Sequence, residues 1–145
     1  MKRIWIVGSL GHMGQALINL LDMKSYELYE TDKDEVDITN EAQVFTFTSR
    51  NRPDVIINCA AHTNVDACEQ QWDAAYRINA IGPRNLSIAA REVGAKMIHV
   101  STDYVFEGNG TKPYTEFDEI HPVSAYGKTK AEGEKFVREF ADRYF

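Results

Sequence analysis

Ile4-Trp5-Ile6-Val7-Gly8-Ser9-Leu10-Gly11-His12-Met13-Gly14-Gln15-Ala16-Leu17 joins an apolar run to a glycine-rich turn and then to a helical pattern. The run is rich in β-branched and aromatic residues and glycine closes it, which predicts a strand over Arg3–Val7. Met13, Ala16, Leu17, Leu20 and Leu21 recur at helical spacing, so a helix should begin near Gly11 and end near Leu21. Gly8 permits the tight turn between them, Gly11 lets the backbone approach a pyrophosphate, and Gly14 lets the helix pack close to the strand. A bound anion would meet the free N–H groups and the positive dipole end at the helix start. A glycine turn with no ligand is the plainer reading. The strand before it and the amphipathic helix after it favour a nucleotide site.

Outward from this segment, apolar runs and helical patterns keep alternating. Further strands are expected at Glu27–Thr31, Asp54–Ala60 and Lys96–Ser101, with a short one at Val36–Ile38. Asn40 followed by Gln43 has the form of a capping box, opening a helix through about Asn51 that Pro53 stops. A long helical stretch covers about Gln71–Val93, kinked or divided by Gly82-Pro83 and closed by Gly94. Asp103–Val123 reads mostly as loop, and a last helix runs from about Ala125 to Tyr144 with Ser124 as its N-cap. This alternation predicts an α/β protein: a Rossmann-like, doubly wound parallel sheet in three layers, α/β/α.

With 145 residues, 43% hydrophobic and 26% charged, the chain fits one globular domain. A net charge of −6 argues against nucleic acid or an anionic membrane as partner, because both need a basic face. No apolar run approaches the ~20 residues of a membrane span. Cys59 and Cys68 are too few for a disulfide framework and lack metal-site spacing, so the cytoplasm is the default location. His12, His62, His99 and His121 show no paired spacing, and no metal ligands are assigned.

Two further features carry chemistry. Asp32 lies 18 residues beyond Gly14 at a strand end, near the spacing at which an acid meets an adenosine ribose. It favours NAD over NADP, while Lys33 beside it offsets a phosphate; a solvated acidic turn is an equal reading. Tyr126 and Lys130 stand four apart on the last helix and therefore share a face. A phenol beside an ammonium is a good proton donor for a carbonyl under reduction. Thr102, at the preceding strand end, can hold the carbonyl oxygen.

In this order the glycine loop, Asp37-Ile38, Asn58-Cys-Ala60-Ala61, Asn79, Ser101-Thr102 and Tyr126/Lys130 resemble the extended branch of the short-chain dehydrogenase/reductase superfamily. Three segments resemble the dTDP-4-dehydrorhamnose reductase family more closely: Ala60–Glu69, Ser101–Gly108 and Ser124–Gly133. The resemblance implies NADPH or NADH as cofactor and reduction of the C4 keto group of a dTDP-4-keto-6-deoxy sugar. It implies that Tyr126 gives the proton, that Lys130 assists it and binds the nicotinamide ribose, and that Thr102 bonds the reacting oxygen. Gly8, Gly11, His12, Met13 and Gly14 would line the pyrophosphate. Asp32 and Lys33 would sit near the adenosine ribose, Asp37 and Ile38 near the adenine, and Ala60 and Ala61 beside the cofactor. Thr63, Val65, Asp103 and Tyr104 match positions close to the dTDP-sugar substrate. Asn79 would kink its helix and order a water near Lys130.

The family also allows a homodimer with magnesium (Mg2+) at its interface, although no carboxylate cluster here identifies that site. Its proteins are about twice as long, in keeping with a length-based domain prior. Residues 1–145 therefore read as the NAD(P)-binding Rossmann domain without the C-terminal sugar-nucleotide part. The rival readings are a non-catalytic nucleotide-binding regulatory subunit, like that of methionine adenosyltransferase, and another extended-branch enzyme acting on a different nucleotide sugar.

Overall fold

A computed structural model describes residues 1–21 and 23–145. Strands β1 (Lys2–Val7), β2 (Tyr26–Thr31), β3 (Val55–Asn58) and β4 (Lys96–His99) form one sheet in the order β2-β1-β3-β4. All its pairings are parallel, with Trp5 opposite Tyr29 and Ile56, and Ile56 opposite Met97. The helices are α1 (His12–Leu20), α2 (Glu41–Asn51), α3 (Val65–Gln70), α4 (Trp72–Tyr76), α5 (Gly82–Val93) and α6 (Ala125–Phe140). A π-helical turn spans Arg77–Ile81 and a 3-10 turn spans Asp103–Val105.

Side chains alternate across the strands, so the two faces have different cores. Trp5, Val7, Ile56 and Met97 join Val44 of α2, Leu86 and Ala90 of α5 and Val137 of α6 in one closed cluster. Each such large side chain, fully buried, contributes roughly 1.5–3 kcal/mol. Trp5 also donates its indole N–H to Thr31 Oγ1 at 2.8 Å, which lets its polar end stay inside. On the opposite face Ile4, Ile6 and Ile57 pack against Leu17 and Ile18 of α1, while Val55, Cys59 and Ile98 are only half-buried. The sheet is therefore covered by helices on both sides, more fully on the α2/α5/α6 side.

Several local expectations are met with small adjustments. Asn40 accepts from Gln43 N–H at 3.2 Å, but the Gln43 carboxamide reaches Asp37 N–H at 2.9 Å instead of closing a box with Asn40. Ser124 caps α6 by accepting from Gly127 N–H at 3.0 Å. Gly94 ends α5 at φ 72°.

Three expectations are corrected. Val36–Ile38 forms no strand: Asp37 Oδ1 accepts from the Thr39 N–H and hydroxyl at 2.9 and 2.8 Å, curling the chain into an Asx-type turn. Val36 and Ile38 are still buried, against α2 and α5. Helix α3 was not expected; Asn64 opens it by accepting from Ala67 N–H at 3.0 Å. The long helix is divided at Gly82-Pro83 as expected, with an irregular turn at Arg77–Ile81 just ahead of it. Pro83 has no N–H to give Asn79 C=O, and Gly133 of α6 approaches that oxygen so closely that a Cβ would lie 2.2 Å away. The last helix ends at Phe140, not Tyr144, because Arg143–Phe145 runs beside β4. Met97 N–H donates to Arg143 O at 2.9 Å, Phe145 N–H to Met97 O at 2.9 Å, and His99 N–H to Phe145 O at 3.0 Å. Those bonds cover the sheet edge at β4.

Candidate functional site

The strands all point their carboxyl ends at one cavity of about 960 Å³. Its floor is the turn from β1 into α1. Gly8 sits at φ 77°, and a Cβ there would be 2.7 Å from Ala60 N, so only glycine fits. Gly8 N–H and Ser9 N–H both bond Thr31 O, at 2.9 and 3.1 Å, which locks the loop to the end of β2. Gly11 caps α1 with no side-chain bond at the cap. The helix start therefore keeps N–H groups for an outside acceptor. Gly14 is buried and does not line the cavity; a Cβ on it would be 2.3 Å from Gly8 O. It acts by letting α1 close on the loop.

Of the residues singled out in the sequence, Gly8, Gly11, His12, Met13, Asp32, Lys33, Asp37, Ile38, Ala60, Ala61, Thr63, Tyr126 and Lys130 line this one cavity. Gly14, Val65, Thr102, Asp103 and Tyr104 do not. The Asp32 carboxylate accepts from Leu10 N–H at 3.2 Å and Lys33 N–H at 2.8 Å, so it ties the glycine loop to the β2 end as well as facing the cavity. Thr102 accepts from Tyr104 N–H at 3.2 Å and donates to Asp103 Oδ1 at 3.3 Å, caps of the 3-10 turn rather than contacts into the cavity. Tyr104 instead packs edge-on against Tyr126, ring centroids 5.5 Å apart.

Lys130 is the most unusual group in the site. It is 2% exposed, and its Nζ donates to Val100 O at 2.6 Å. Burial lowers its pKa from the usual 10.5 to about 8, while the nearby Glu134 and Cys59 push the other way. A buried ammonium close to neutrality in a cleft is a mark of function more often than of structure. His99 lies near it, and burial followed by the Lys130 charge holds that imidazole pKa down at about 3. His99 Nδ1 accepts from Asn58 Nδ2 at 3.1 Å as a neutral ring. Asn79 accepts from His62 N–H at 2.8 Å and donates to Thr129 Oγ1 at 3.1 Å, pinning the segment after Ala61.

The cavity also takes in residues to which no role was assigned from sequence. Arg77 and Ile78 reach it from the π turn and Ala74 from α4; Cys59, Val100 and Ser101 line it at the strand ends. Nothing in the sequence marks Arg77, because the π turn that places it reads as ordinary helix. Cys59 and Ser101 stood inside recognised motifs without a role. Among the described residues no group of 3 or more His, Cys, Asp or Glu could hold a metal ion, and no helix is long and apolar enough to cross a membrane.

The sequence profile of the RmlD substrate binding domain matches residues 1–145. The chain belongs to this family. A dTDP-4-dehydrorhamnose reductase of Aggregatibacter actinomycetemcomitans is 44% identical over 138 residues, 94% of this chain and 47% of its own length. The crystal structure of the Clostridium acetobutylicum dTDP-4-dehydrorhamnose reductase superposes with a TM-score of 0.96 at 51% identity, over 98% of this chain and 51% of that one. That of the Bacillus anthracis dTDP-4-dehydrorhamnose reductase, in complex with NADP, gives 0.98 at 45% identity, over 100% and 52%. The chain thus spans about half the length of the relatives it matches.

Proposed function

We propose that this chain is the cofactor-binding half of an NADPH-dependent dTDP-4-dehydrorhamnose reductase. The observation that carries the reading is a single cavity bounded by the Gly8/Gly11 turn at one end and by Tyr126 with buried Lys130 at the other. The turn suits a pyrophosphate, because the start of α1 has no side-chain cap and keeps N–H groups for an outside acceptor. The Lys130 donors not used by Val100 suit ribose hydroxyls. Lys33 and Arg77 suit a 2′-phosphate, in keeping with the NADP bound to the Bacillus anthracis relative. Asp32, already holding two backbone N–H groups, still has acceptor capacity for a ribose; both cofactors fit, with NADPH preferred. Magnesium and a homodimer remain family-level proposals.

When bound, the reduced nicotinamide supplies the hydride. The Tyr126 hydroxyl gives the proton to the substrate carbonyl oxygen, and Lys130 steadies the charge beside it. Thr102 would contact that oxygen only after the turn around it re-forms on the sugar, since its hydroxyl now serves the turn. Thr63 faces the cavity, and Val65, Asp103 and Tyr104 lie outside its lining, so the sugar would bind above the nicotinamide end. The cytoplasm is the proposed location.

The experiment is NADPH oxidation with a dTDP-4-keto-6-deoxy sugar by the full-length protein that carries this chain, with and without Tyr126→Phe. The substitution should cut turnover by roughly 10²–10⁴-fold and leave NADPH affinity within about twofold. Near-normal turnover would contradict the mechanism. Tight NADPH binding without turnover in the unmodified protein would favour a nucleotide-binding regulatory subunit.

A further inference from the structure

Glu134 has no part in the chemistry above, yet it reaches the cavity wall. It lies one turn after Lys130 on α6, with its side chain 18% exposed. Its Oε1 accepts from Ser101 Oγ at 2.5 Å. Its Oε2 meets the half-exposed Arg138 at 3.4 Å, a surface pair of little energetic weight. Ser101 lines the cavity, and the residue before it supplies the carbonyl that Lys130 grips. The sheet ladder holds Val100 through its N–H, which bonds Asn58 O at 3.1 Å. Beyond that bond, the Ser101 side chain is held from α6. One helix face therefore ties down both residues of the strand end: Lys130 through Val100 O, and Glu134 through Ser101 Oγ.

We propose that Glu134 is a positioning residue: by holding Ser101 it fixes the Val100 carbonyl, and so sets where the Lys130 ammonium points in the cavity. The electrostatics run the same way. The groups facing Lys130 are Glu134 and Tyr126 on its own helix, Cys59 after β3 and His99 on β4. Burial keeps the Cys59 thiol and the His99 imidazole neutral. Glu134 therefore supplies the negative charge that opposes the loss of hydration at Lys130, and Cys59 adds to it only once its thiol ionises.

The inference rests on the cofactor reading, so its test uses two ligands. NADPH spans the cavity to Lys130; adenosine 2′,5′-bisphosphate carries only the adenine end. Glu134→Ala should weaken NADPH binding about 10-fold, the weight of a hydrogen bond to a charged group, and leave the bisphosphate unchanged. Glu134→Gln keeps an acceptor for Ser101 and should stay within about threefold of wild type. Ser101→Ala should reproduce Glu134→Ala, and the double variant should be no weaker than either alone. An equal loss for both ligands, or for neither, would overturn the proposal, as would additive losses in the double variant. Failure of the unmodified chain to bind either ligand would remove the cofactor reading itself, and this proposal with it.

Discussion

At the α1 end of the cavity the ligand-facing surface is backbone; at the α6 end it is a buried charge. The glycine turn leaves the N–H groups at the start of α1 without a side-chain cap, and its hydrogen bonds run to Thr31 and Asp32 at the edge of the sheet. That end carries no desolvated charge. Lys130 is enclosed, and burial drives its pKa down to about 8. Burying the Lys130 charge costs the empty protein stability, a cost the backbone end does not carry. Steric constraint thus shapes one end of the cavity and electrostatic strain the other.

The largest expected effect breaks the backbone end. Gly14→Ala puts a methyl where Gly8 O stands 2.3 Å away, so the loop must move off β1. Destabilisation of about 3 kcal/mol in urea unfolding is expected, and loss below about 1 kcal/mol would mean the turn is softer than its contacts imply.

The next prediction sharpens the contrast at the other end. A lysine whose folded pKa is depressed destabilises the fold where it is charged in both states, below about pH 8. The penalty fades as pH rises from there toward the unfolded value near 10.5. Lys130→Met should therefore stabilise the chain at pH 7 by about 1–2 kcal/mol, after allowing for the Val100 carbonyl left without its donor. The gain should shrink toward pH 10. A destabilised variant at pH 7 would show that the Val100 bond outweighs the burial of charge.

The last effect is confined to acid pH and concerns His99. Its folded pKa of about 3 lies below the unfolded 6.5, so the unfolded chain binds the extra proton between those values. Stability contributed by the neutral ring is complete above pH 6.5 and falls as pH drops toward 3. His99→Gln should flatten the acid limb of a stability–pH profile in that window, whatever it does at pH 7. An unchanged acid slope would place the acid sensitivity elsewhere.

What could be read from the sequence follows from the same contrast. The glycine turn and the caps at Asn40, Ser124 and Gly94 depend on local chemistry, and each is visible in a few adjacent residues. The π turn at Arg77–Ile81 depends on Pro83 lacking an N–H and on Gly133, distant in sequence, packing on Asn79 O. That is a tertiary condition, and it is what brings Arg77 into the cavity. Val36 and Ile38 read as a strand because they are apolar and alternate, but Asp37 spends its carboxylate on the Thr39 backbone and hydroxyl. Tyr126 and Lys130 share a face by their spacing, and both line the cavity. Enclosure of Lys130 was not legible, since it depends on Val100, Ser101 and His99 closing around it.

The most direct test of the account is to measure NADPH affinity and folding stability together, in wild type and in Lys130→Met. The unmodified chain should bind NADPH saturably, with Kd on the order of 10 μM, and Lys130→Met should bind at least about 10-fold more weakly while being more stable at pH 7. Undiminished binding in the variant, or no saturable binding by the folded wild-type chain, would contradict it.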